Sequence, residues 1–142
     1  MIETMVMAVA LQLPQQQPAT SRIGYATSEY HGKWYAKRWE PLRKCIMFHE
    51  SRYNYNARGG PSSAQGAYQF LKAWHVSLTY MMIKESKTTD DGLISEIRAL
   101  RGKPIHSWSR YYQDRSFFTA FRHGAGAKHW SLQEQRCFKE MK

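Results

Sequence analysis

Residues 41–70 read PLRKCIMFHESRYNYNARGGPSSAQGAYQF, and the order of signals in this stretch decides the fold. Pro41 is a favoured residue at the start of a helix, because it lacks the N–H that would go unpaired there and its φ is already helical. Leu42, Cys45, Ile46 and His49 then recur at i, i+3, i+4 and i+7, which puts them on one helical face. This helix is expected to end between Glu50 and Tyr53. From Asn54 to Gly66 the chain is rich in Asn, Gly, Pro and Ser and reads as a loop. Ala67–Phe70 follows as a short extended, strand-like piece. A helix, an irregular loop with a scrap of β structure, and further helix predict an α+β fold dominated by helices.

The same periodicity extends the reading in both directions. A second helix is expected over Ala73–Lys84, with Trp74, Leu78 and Met81 or Met82 turned inward, then a turn at Thr88–Gly92 and a short helix over Leu93–Leu100. A longer helix is expected from about Ser107 to His123, with Trp108, Tyr111, Phe118 and Phe121 on a shared face and Gly124 as its stop. The last helix opens at Ser131 with Glu134 three residues on, a capping-box spacing, and carries Cys137. Towards the N-terminus, residues 12–20 (QLPQQQPAT) read as linker, and residues 25–39 show no clean period. The chain therefore divides into an arm or linker over 1–38 and one domain over 39–142. No internal repeat is present.

Composition narrows the partners. Hydrophobic residues make up 42% and charged residues 23% of the 142 residues, a globular balance rather than a disordered one. The net charge of +10 favours a polyanion, whether nucleic acid, anionic lipid or a wall polymer. The 5 Trp, 9 Tyr and 6 Phe offer flat faces suited to sugars or bases. No apolar run reaches 18 residues, so no membrane span is expected. Met5–Leu13 has the length of a signal sequence, but Glu3 and no Lys or Arg precede it, so no signal peptide is expected.

Cys45 and Cys137 are the only cysteines, 92 positions apart. They are either two buried thiols or one long-range bridge, and they lack the close spacing of a zinc or redox pair. His49-Glu50 begins like a His-Glu-x-x-His zinc site, yet the fifth position is Tyr53, so no metal or other cofactor is expected. Lys33–Trp39 alternates bases and rings, which suits either single-stranded nucleic acid or packing onto the domain. Packing is the favoured reading.

Glu50 is the candidate acid. It stands where an apolar helix runs into a polar loop, and a carboxyl half-buried at such a boundary holds its proton more tightly. A protonated Glu is the group needed to protonate a leaving glycosidic oxygen. The remaining acids from residue 40 on are Glu40, Glu85, Asp90, Asp91, Glu96, Asp114, Glu134 and Glu140. None has a comparable context: Asp90 and Asp91 read as turn residues, and Asp114 as an ion-pair partner inside a helix.

The stretch from Cys45 to Ser51, then Asn54–Ala57, then Ser62–Phe70 and Trp74, resembles the lytic transglycosylase and transglycosylase-like families. Their pattern is Glu-Ser, a loop of about fifteen residues, and Gly-hydrophobic-hydrophobic-Gln-hydrophobic, and here Glu50 and Gly66 are 16 apart. Ala120-Phe121-Arg122-His123-Gly124 is similar to the family's third motif, Ala-Tyr-Asn-x-Gly, with Phe121 and Arg122 replacing the tyrosine and asparagine. Trp39 ahead of Cys45, and Gly124-Ala-Gly-Ala followed by Trp130 and Cys137, resemble the actinobacterial branch that includes the resuscitation-promoting factors.

The resemblance implies a lysozyme-like domain with Glu50 as catalytic acid/base, and a groove touched by Ser51, Gln69, Tyr68, Phe70 and Phe121. One of Tyr68 and Phe70 is expected to face the core. The two cysteines flank the matching region, and a wall substrate lies outside the cytoplasm. They are therefore expected to be bonded, with Cα atoms about 4.4–6.8 Å apart. The implied partner is the peptidoglycan glycan strand. The implied location is extracytoplasmic, in the cell wall or secreted, or on a phage virion, and nucleic acid is not the expected partner. The implied reaction is cleavage of the bond between N-acetylmuramic acid and N-acetylglucosamine with a 1,6-anhydromuramyl product. A hydrolysing muramidase, a virion-associated wall-opening protein and a non-catalytic wall- or nucleic-acid-binding module are the alternatives.

Overall fold

The computed structural model describes residues 26–59, 63–123 and 130–140, and is dominated by helices. The elements are α1 (Glu40–Ser51), α2 (His75–Thr89), α3 (Ile94–Ala99), α4 (Arg110–His123) and α5 (Ser131–Glu140), with 3-10 turns at Lys37–Trp39, Lys72–Trp74, Leu100–Gly102 and Ile105–Ser107. No helix among these residues is long and apolar enough to cross a membrane. The expected β region reduces to two isolated bridges, Arg58 with Gln65 and Gln65 with Phe70.

Helix α1 forms where the spacing places it, one residue ahead of Pro41. Leu42 and Ile46 are fully buried on its inner face, each contributing about 1.5–3 kcal/mol through removal of apolar surface from water. The helix stops because Arg52 turns left-handed (φ 56°), and its N–H closes on the Phe48 carbonyl at 2.9 Å. Helix α2 runs five residues beyond its expected end. It stops at Asp90 (φ 52°), and buried Glu85 and Ser86 belong to that added turn.

Helix α4 is the centre of the molecule. Every residue from Tyr112 to Ala120 is buried, so the helix is enclosed rather than amphipathic. It packs against α2, while α5 packs against α1. Trp108 is buried at 1% exposure but lies outside α4, because the chain turns 3-10 at Ile105–Ser107 and the α-helix begins only at Arg110. The expected single face of Trp108, Tyr111, Phe118 and Phe121 is thus split between a turn and a helix. The Trp108 indole N–H donates to the Lys103 carbonyl at 2.8 Å.

The boundary expected at 38/39 falls inside the folded body. Tyr30 is 1% exposed and packs against Tyr111 and Phe118. Its hydroxyl donates to Glu85 Oε2 at 2.8 Å. The Glu29 N–H donates to Asp114 at 3.0 Å, and Arg43 donates to the Ala26 carbonyl at 2.8 Å. The linker over 12–20, the Met5–Leu13 run and the Gly124 stop lie outside the described residues.

Candidate functional site

Glu50 occupies the last turn of α1, half-buried. Burial pushes its carboxyl above the usual carboxylate range, partly offset by a hydrogen bond from the side chain of Gln133 on α5. Its neighbour Ser51 joins two segments distant in sequence. The Ser51 hydroxyl lies 2.7 Å from the Ala67 carbonyl and 3.2 Å from that of Met47, and accepts the Asn54 N–H at 3.1 Å. Ser51 thus fixes the Glu-Ser end of the helix against the Gly66–Phe70 segment. Its hydrogen bonds are those of a structural residue at a helix end.

The Gly66–Phe70 segment is a tight turn, not a strand. Gln65 and Phe70 exchange backbone hydrogen bonds at 2.8 and 3.0 Å, and the Gln69 N–H returns to the Gly66 carbonyl at 3.1 Å. Gly66 sits at φ +82°, where an added Cβ would lie 2.5 Å from Gln113 Oε1. Only glycine fits both the backbone and the space. Gln69 adopts φ 52°, and its amide donates to the Gly66 carbonyl at 2.9 Å.

Tyr68 and Phe70 are both core, each 1% exposed. This corrects their expected place in a substrate groove. Tyr68 donates to Asp114 at 2.6 Å and accepts from Arg43 at 2.8 Å, and Phe70 packs on Trp130. Phe121 is half-buried, edge-on to Trp39 and stacked on Phe117 at centroid distances of 5.2 and 5.5 Å.

Two residues of α4 set this geometry: Asp114, expected as an ion-pair partner inside a helix, and Gln113, which the sequence does not single out. Gln113, 1% exposed, accepts the Ala67 N–H at 2.8 Å and donates to the Tyr55 and Trp108 carbonyls. Asp114, 0% exposed, accepts from Tyr55 at 2.7 Å as well as from Tyr68, and is ion-paired with Arg43. Gln113 sits within an uninterrupted buried run, so no periodicity singles it out.

Asp114 is sealed in the core, and Asp91 pairs with Arg115 at 3.3 Å. A cleft of about 540 Å³ lies between α2 and the α3 region, lined by Tyr80, Lys84, Lys87, Arg98 and Arg101 among others. None of the expected site residues lines it, and its four cations without a carboxylate suit anion contact rather than acid catalysis. Cys45 and Cys137 are bonded, with Cα atoms 5.8 Å apart, inside the expected range. No family model, curated protein or solved structure matches the chain.

Proposed function

We propose that the protein is a lysozyme-like, peptidoglycan-cleaving lytic transglycosylase acting outside the cytoplasm or from a phage virion, with Glu50 as its general acid/base. The observation that carries the reading is the Ser51 hydroxyl at 2.7 Å from the Ala67 carbonyl. It draws the Glu-Ser end of α1 and the Gly-Ala-Tyr-Gln-Phe turn, the two motifs of the family resemblance, to one place. The raised proton affinity of Glu50 suits an acid, and the positive charge suits an anionic wall.

In this reaction Glu50 protonates the glycosidic oxygen as the bond to C1 of the muramyl residue breaks. The 2-acetamido oxygen of the substrate stabilises the charge developing at C1. The resulting Glu50 carboxylate takes the proton of the muramyl 6-hydroxyl as that oxygen closes on C1. No water is consumed, and the carboxyl ends as it began. A hydrolase normally needs a second carboxylate, and the enclosure of Asp114 in the core removes one candidate for that role. Mass spectrometry of muropeptides released from purified peptidoglycan tests this: 1,6-anhydro ends, lighter by one water, are expected. Reducing ends throughout would make the protein a muramidase. No release, with retention on the wall, would make it a binding module.

A further inference from the structure

Cys45, His49 and Cys137 bring one donor atom each to within 4.8 Å of one another. A fourth donor stands beside them: the Glu140 carboxylate lies 3.0 Å from His49 Nε2 and 3.5 Å from Cys45 Sγ. Cys45 and His49 are one turn apart on α1, and Cys137 and Glu140 one turn apart on α5. Each pair therefore shares a helical face. The two faces meet where α1 and α5 pack together. We propose that the reduced chain binds zinc(II) through Cys45, His49, Cys137 and Glu140, at a site that the disulfide occupies in the oxidised chain.

Two sulfurs, one imidazole nitrogen and one carboxylate oxygen form a four-donor set that suits tetrahedral zinc and poorly suits calcium or magnesium. With Zn–S bonds of about 2.3 Å, tetrahedral sulfurs stand about 3.8 Å apart. The Cα separation of 5.8 Å lets side-chain rotation open that gap while the helices stay in place. Cys137 is fully buried, whereas the His49 and Glu140 side chains are 15% and 53% exposed. The site is thus closed on the core side and open to an entering ion. Two thiolates and a carboxylate leave one negative charge on the zinc complex, and Arg136, with Nη1 3.4 Å from His49 Nδ1, stands ready to offset it.

The change of state balances. A dithiol reductant gives two electrons and two protons to the Cys45–Cys137 bond and becomes a disulfide itself. The two thiols then lose their protons as they bind zinc. The proposal stands apart from the glycan reading, since Glu50 is not among the donors, and failure of either leaves the other in place.

The test uses the full chain, reduced with a dithiol, separated from it without oxygen and titrated with cobalt(II) as a spectroscopic stand-in for zinc. One equivalent is expected to give a thiolate-to-cobalt charge-transfer band and the intense visible bands of a tetrahedral site, both abolished by zinc. The oxidised chain should give neither. His49→Ala and Glu140→Ala, which keep both cysteines, should weaken binding at least tenfold in the reduced form while the oxidised form keeps its helical circular dichroism. If reduction unfolds the chain, zinc should restore the helical signal. Absence of the cobalt bands, indifference to both alanine variants, or a reduced chain that zinc does not refold would overturn the proposal.

Discussion

At the scale of single residues, Glu50 links reactivity to a cost in stability. Its folded carboxyl is raised above the unfolded value, so the fold disfavours the charged form. That cost is present at neutral pH and fades as pH falls through the carboxylate range and the group protonates. Glu50→Gln keeps the shape, and it should lower peptidoglycan cleavage by about 10²–10⁴-fold. The same variant should melt at a higher temperature than the parent at pH 7, and the gap should narrow in scans at lower pH. Gly66 shows the opposite sensitivity. In Gly66→Ala the left-handed backbone and the contact with Gln113 act together. Denaturant unfolding should register a loss of about 2–3 kcal/mol, combining roughly 1–2 for the conformation and about 1 for the displaced Ala67 N–H bond.

Among the elements, α4 organises the rest through polar groups rather than apolar ones. Asp114 receives hydrogen bonds from Tyr55, Tyr68 and the Glu29 backbone, and pairs with Arg43 of α1 and with Arg110. One carboxylate thus ties the entering segment, α1, the loop and α4 together. Asp114→Asn weakens the charge-assisted hydrogen bonds from Tyr55 and Tyr68, while Arg43 keeps Glu40 and Arg110 keeps Glu29, and a loss of about 1.5–3 kcal/mol is expected. Urea titration followed by circular dichroism should show that loss. The elements legible in sequence were those decided locally: α1 from Pro41 and its apolar spacing, the 54–66 loop from its breakers, and the start of α5 at Ser131. Gln69 was misplaced because the left-handed conformation of a glutamine leaves no compositional mark, so a turn looked like a strand. Residues 26–38 looked like linker because their aromatic rings find partners in α2 and α4, contacts that no local period encodes. Of the candidate site, the position of Glu50 near the end of α1 and the bonded cysteine pair were legible. The positions of Gln113 and Gln133 were not, since each acts across a long sequence separation.

For the molecule as a whole, the bond between Cys45 and Cys137 closes a loop of 92 residues and restrains the unfolded chain accordingly. Replacing both cysteines by serine should lower stability by about 4–5 kcal/mol in the chain-entropy account. A shift of the unfolding midpoint without a change in helical content would be its signature. A different consequence follows from the phenols. Burial holds Tyr30, Tyr55 and Tyr68 protonated well above the ordinary tyrosine range. Their stabilising share is complete below about pH 10, the value in the unfolded chain, and is lost as alkali climbs beyond it. These three rings can surrender their protons only when the core opens. In an alkaline titration followed by ultraviolet absorbance, the tyrosinate signal of these rings should rise together with collapse of the helical signal. The protein thus carries a built-in optical indicator of its own alkaline unfolding.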